Sequence, residues 1–324
     1  MTTAEGPVVV IRADAETGEG PVWDYRTGEL IWVDIPRGIL HRSNVRPGAR
    51  ATTGSAATGS AATGSAPHGA TDRAVAVGMM LGAAVPDTAS GWAAAVEDGF
   101  GLIDSGGYLD LLDRALPEAS TRMNDGACDS HGRMWAGSLT RSFDPGSGKL
   151  HCWTHGRPSV VVAESLTLPN GIGWNGDSTR MYLADTSDQV VFAYEFDLDD
   201  ARLGERHALI EVPPARGQPD GLCVDADGCL WVAQWGGWRV CRYDPGGRLL
   251  RTVEFPVAQP SSCAFGPDTT LYVTSAREGL PSGHGQPLAG SVFAFDAGIG
   301  GAPVGTFRLW PAGPARPGSV TWHR

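Results

Sequence analysis

One short pattern recurs along the chain and limits its fold more than any other feature. A small or polar lead-in opens a strand-like run. A tight turn follows, then a second run rich in Leu, Trp, Tyr and Val. Gly18–Asp24 precedes Leu30–Asp34, Asn124–Asp129 precedes Arg133–Gly137, and Pro169–Trp174 precedes Met181–Asp185. Pro219–Asp225 precedes Cys229–Ala233, Pro260–Phe265 precedes Thr270–Thr274, and a weaker copy spans Met79–Val96. Asn124 to Asn170 is 46 residues, Asn170 to Asp220 is 50, and Asp220 to Ser261 is 41. A self-similar unit of roughly 40–50 residues made of several short strands is the signature of a propeller blade. Six copies account for the chain, so the pattern predicts an all-β, six-bladed β-propeller forming one domain over residues 1–324.

Glu19 to Asn124 is 105 residues, two periods plus an excess. The excess is the tract Ala51–Ala66, ATTGSAATGSAATGSA. It offers no bulky apolar group to offset its ordering entropy, which predicts a flexible loop over 51–70. The tract falls between the third and fourth strands of blade one, after Ile39–His41 and before Ala74–Val77, so it should leave from the face opposite the channel site. Ring closure is expected from a strand near Val8–Arg12 paired with C-terminal strands near Val304–Trp310.

Composition narrows the partners. The net charge is −11 and the basic residues are nearly all Arg, without a cluster. Such a surface repels phosphate backbones and anionic membranes, so neither nucleic acid nor membrane is an expected partner. The six cysteines form no C-x-x-C pair, which argues against a zinc ribbon or a thioredoxin-like site. Met1–Arg12 has no charged start followed by an apolar signal core, and no apolar run is long enough to span a bilayer. A cytoplasmic protein with free thiols is the expectation.

Propellers gather the starts of their innermost strands around a central channel. Those positions hold Glu19, Asn124, Asn170, Asp220 and Ser261. Asn or Asp ahead of a strand often serves only a turn. Here two carboxylates and two carboxamides occupy corresponding places in different repeats, and together they present oxygen ligands to a hard divalent cation.

The segments G-E-G-P-V-W-D (18–24), R-M-N-D-G (122–126), L-P-N-G-I (168–172), P-D-G-L-C-V-D (219–225) and A-R-E-G-L (276–280) occur in order and span nearly the whole chain. Together they resemble the regucalcin/gluconolactonase family, also called the senescence marker protein and luciferin-regenerating enzyme group. The resemblance implies a metal-dependent lactonase that opens a sugar-acid lactone to the aldonic acid. It implies Glu19, Asn170 and Asp220 as metal ligands, Asp220 also as general base, and Arg122 and Asn124 as contacts to substrate oxygens. One divalent ion is implied, Ca²⁺ first, with Zn²⁺, Mn²⁺, Mg²⁺ and Fe²⁺ as alternatives. The family's acidic lid-side contact in blade three has no match in Ser138–Asp144. Another ester or a phosphotriester in the same pocket, or a non-enzymatic calcium-binding propeller, is the alternative. Arg122 and Asn124 favour an enzyme, because a metal buffer has no need of them.

Other features carry less. Asp104–Gly107 echoes a protease nucleophile loop but sits in a hairpin context with no triad partners. His151 and His155, on one strand, would stand about 13 Å apart and could not share an ion; surface or cleft-rim positions are expected. Asp225–Gly228 lacks the later Glu of a calcium loop and reads as a turn. Asp185 and Arg277 follow the second strands of their blades and are secondary candidates on the site face.

Overall fold

A computed structural model of the chain describes residues 6–45, 70–281 and 285–310. Six four-stranded antiparallel sheets form the ring, and the described residues contain one short 3₁₀ turn, Pro214–Arg216. None of their helices is long and apolar enough to cross a membrane. The innermost strands are Gly18–Asp24, Leu81–Pro86, Thr121–Cys128, Pro169–Trp174, Gln218–Val224 and Pro260–Phe265 for blades one to six. The tract Ala51–Ala66 lies outside the described residues; its flanking strands, Ile39–Asn44 and Thr71–Ala76, pair as the third and fourth of blade one.

The burial pattern explains why the second strands read as unbroken apolar runs. Glu29–Asp34 is buried at every position, and so is Thr270–Ser275. Each blade is sandwiched between two others, so both of its faces are covered. Six apolar clusters result, one at every junction. Blades one and two share Ile31, Val33, Leu81 and Trp92. Blades six and one share Tyr272, Val292, Trp23 and Trp32. The outermost strand of blade one, Thr71–Ala76, is mostly exposed.

Closure differs from the expectation. Val8–Ile11 is the outer strand of blade six, but its partner is Val292–Asp296, not the Val304–Trp310 segment. After Asp296 the chain leaves the sheet and crosses the face opposite the inner-strand starts. It makes single bridges there, Gly301 to Asp225 and Phe307 to Asp87. Phe307 is fully buried and stacks on Trp153 with ring centroids 4.8 Å apart. The apolar residues of this tail anchor it as a strap, so it needs no strand pairing.

Candidate functional site

The innermost strand of every blade shifts register against its neighbour near its start. In blade four the shift falls between Pro169 and Ile172, in blade five between Pro219 and Leu222, and in blade three between Met123 and Gly126. Blades one, two and six repeat it between Glu19 and Val22, Leu81 and Ala83, and Pro260 and Cys263. Each shift places one extra residue on the inner strand, a β-bulge, which re-aims side chains. The glycines of these bulges permit close packing of neighbouring blades. A Cβ at Gly171 would lie 2.4 Å from Leu222 N, and one at Gly221 would lie 2.3 Å from Ser262 Cβ. The pairs Asn170–Gly171 and Asp220–Gly221 therefore serve blade contact, not hairpin turns.

These bulges bring Glu19, Asn170 and Asp220 together. All three are buried. Asn170 Nδ2 donates to Asp220 Oδ1 in a short hydrogen bond and to Thr186 Oγ1 at 3.2 Å. Glu19 Oε2 accepts from the Gly20 N–H at 2.9 Å. Burial, then the charge of Asp220, then that of Asp125, pushes the Glu19 carboxyl well above the usual range. Burial followed by the charge of Asp125 does the same to Asp220. Asn170 Oδ1 is buried and accepts no hydrogen bond among the described residues.

An orphaned carboxamide oxygen beside two repelling carboxylates is what a hard cation would satisfy, so these residues fit a divalent ion. Among the described residues no group of three or more His, Cys, Asp or Glu side chains could hold a metal. The set here has two such carboxylates and completes its donors with an amide.

The other expected residues divide. Arg122, half-buried, donates from Nη1 to Asn124 Oδ1 at 2.7 Å and to the Met123 carbonyl at 3.0 Å. Asn124 Nδ2 donates to the Pro169 carbonyl at 3.1 Å. Asn124 thus ties blade three to blade four and holds Arg122 in place. Ser261 is fully buried and donates from Oγ to the Gly18 carbonyl at 2.5 Å, a tie between blades six and one. Asp185 accepts from the Thr167 and Leu168 N–H groups at 2.7 and 2.9 Å, so it pins the lead-in to blade four. Asp34 does the same for Glu16 and Thr17 in blade one. Arg277 is half-exposed beside Asp14. In blade three Arg141 pairs with Glu97, and its charge opposes that of Arg122. Asp104–Gly107 is a turn closed by Gly107 N–H to the Asp104 carbonyl, and Asp225–Gly228 is closed in the same way.

Sequence reasoning passed over Asp125. It is buried, accepts from the Gly126 N–H at 2.7 Å, and is pushed up by burial to about 6. It lines a cavity of about 170 Å³ on the side of the channel away from Glu19 and Asp220. Its signal was in R-M-N-D-G, but strict strand alternation places neighbours on opposite faces, and only the bulge lets Asn124 and Asp125 both matter to the channel.

His151 also differs from the expected surface position. It is buried, its Nε2 lies 2.9 Å from Ser138 Oγ, and burial followed by the Lys149 charge pulls it down from 6.5 to about 4. The folded protein keeps this ring neutral where the unfolded chain protonates it. Its contribution is therefore intact above pH 6.5 and is lost as pH falls towards 4, by about 3 kcal/mol in full. His151→Gln should flatten that part of a denaturation profile measured between pH 7 and 4; an unchanged acid slope would refute the assignment. His155 is half-exposed and bonds to the Trp310 backbone.

The sequence model described as the SMP-30/Gluconolactonase/LRE-like region matches residues 17–277. A 6-deoxy-6-sulfogluconolactonase of Pseudomonas putida is 32% identical over 299 residues, covering 90% of this chain and 95% of that protein. A pentonolactonase of Haloferax volcanii is 30% identical, covering 95% of each. Among solved structures, the calcium-binding protein regucalcin from Agrobacterium tumefaciens superposes with a TM-score of 0.81 at 27% identity, covering 94% of this chain and 98% of the other.

Proposed function

Because the chain belongs to the SMP-30/gluconolactonase/LRE-like family, we propose that it hydrolyses a sugar-acid lactone to the open aldonic acid at the mouth of the channel. The observation that carries this reading is the buried Asn170 Oδ1, left without a donor beside the Glu19–Asp220 pair. Glu19, Asn170 and Asp220 would hold one divalent cation, with Ca²⁺ the first candidate. When bound, that ion polarises the lactone carbonyl and stabilises the oxyanion.

The chain's own residues supply the rest. Asp220 accepts a proton from the attacking water, whose oxygen bonds to the carbonyl carbon. The ring C–O bond then breaks and the departing ring oxygen takes up a proton. Arg122 commits Nη1 to Asn124 and Met123. Its Nε and Nη2 have no hydrogen-bond partner among the described residues and can meet substrate oxygens. Asn124 holds the guanidinium at that angle.

Arg122→Ala should raise KM about 10–100-fold with little change in kcat, the loss of one charged hydrogen-bond donor to substrate in ground and transition states alike. A fall in kcat at constant KM would instead place Arg122 in the chemical step. The reaction itself is tested by acid release at constant pH from D-glucono-, D-xylono- and L-arabinono-lactones, with EDTA and with each metal restored. Turnover lost on chelation and rescued by one ion supports the reading. Tight metal binding with no turnover of lactones, esters or phosphotriesters would leave a binding protein.

A further inference from the structure

Two thiols meet beneath the metal-ligand pair. Cys223 lies three residues after Asp220 on the inner strand of blade five, and Cys263 lies on the inner strand of blade six. Their Sγ atoms are 3.6 Å apart. Cys263 is the first residue to resume pairing after its bulge, opposite Val273, and Cys223 is the second after its own, opposite Trp231. The two backbones run close there, since a Cβ at Gly221 would lie 2.6 Å from Ser262 Cα. All six cysteines are free thiols, and this is the only thiol–thiol hydrogen bond among the described residues.

Both side chains line the cavity on the far side of the channel. Its wall continues to Tyr25 and Val304, which are 64% and 55% exposed. Cys223 is only partly buried and lines this cavity, so solvent can approach it on a side away from the lactone site. Bonded sulfurs lie about 2.0 Å apart. Closing the remaining gap of about 1.6 Å is within reach of side-chain rotation, because the thiols belong to different strands already in contact.

We propose that Cys223 and Cys263 are a modification site, forming a reversible disulfide that staples blade five to blade six when the protein meets hydrogen peroxide. The Cys223 thiolate attacks one peroxide oxygen, the O–O bond breaks, and a sulfenic acid and hydroxide result. The Cys263 sulfur then displaces the sulfenic oxygen as water, and the S–S bond forms. Two thiols and one peroxide become one disulfide and two waters, with two electrons passing from sulfur to oxygen. Cys263 gives up its contact to the Trp231 carbonyl, 3.4 Å away. Burial pushes the Cys223 thiol well up, so the reaction is slow at neutral pH and quicker in mildly alkaline buffer.

The test uses the reduced full-length chain, treated with hydrogen peroxide at mildly alkaline pH and analysed by intact mass, thiol titration and peptide mapping. The expected result is a loss of two hydrogens per chain, two fewer titratable thiols and a Cys223–Cys263 cross-linked peptide. The thermal midpoint should rise, and dithiothreitol should reverse all four changes. Cys263→Ala should show none of them; Cys223→Ser serves if that variant folds poorly. Gain of oxygen on Cys223 without a cross-link, a bond between other cysteines, or the same mass loss in Cys263→Ala would overturn the proposal. None of these readouts depends on lactone turnover, so the cross-link stands or falls apart from the proposed reaction.

Discussion

Asp220→Asn should abolish turnover and at the same time raise the thermal midpoint of the metal-free protein. The two effects have one cause. Asp220 is buried with Glu19 and within electrostatic reach of Asp125. Glu19 and Asp220 thus sit side by side in a buried site, and the charge of Asp125 raises both. Replacing one of several like charges buried near one another with a neutral group of the same shape relieves their repulsion, each unit of pKa elevation standing for about 1.4 kcal/mol. The amide oxygen of the new Asn can still accept from Asn170 Nδ2, so the packing is kept. The same change removes the base and one ligand oxygen, and should cost about 10³-fold or more in kcat. Initial rates and thermal melts in EDTA measure both. A variant that melts lower than the parent, or turns over normally, would show that the cluster is not built around a cation.

The second large effect is that of the ion itself. A cation that binds the folded chain alone stabilises it by about 4 kcal/mol at a thousandfold excess over its Kd, a shift of several degrees in the midpoint for a protein of this size. Calcium should therefore raise the melting temperature of EDTA-treated protein and restore turnover over the same concentration range. The shift should be much smaller in Asp220→Asn. Equal midpoints and equal rates in EDTA and in calcium would remove the metal from both structure and reaction.

The blade count and the positions of Glu19, Asn170 and Asp220 were legible because they repeat. A period survives even where each single copy is weak. What did not survive was anything that depends on which face a side chain takes. Asp125 was passed over because alternation fails at a one-residue bulge, and the bulge leaves no mark in composition. His151 was expected at the surface because blades are covered on both faces, so a third strand gives no polar–apolar alternation to read. The closing strand was misassigned for a related reason. Phe307 and Trp310 look like strand residues, whereas the third strand of blade six is Val292–Asp296, and Phe307 is buried in a strap that makes only single bridges. Asn124 lies on the inner strand, and its amide bonds Arg122 and the Pro169 carbonyl. That accounting needs neighbours the sequence does not name.

The pairing of Val8–Ile11 with Val292–Asp296 has a consequence for how the protein is made. Of the described strands, the first in chain order belongs to the last blade. Until nearly the whole chain has been synthesised, that strand has no partner and the Trp23–Trp32 side of blade one has no cover. Blades two to five can stack in order as they emerge, but the ring stays an open arc until blade six arrives and joins the two ends. During that interval the nascent chain exposes an unpaired edge and an apolar face together, and protection of the growing chain matters most then.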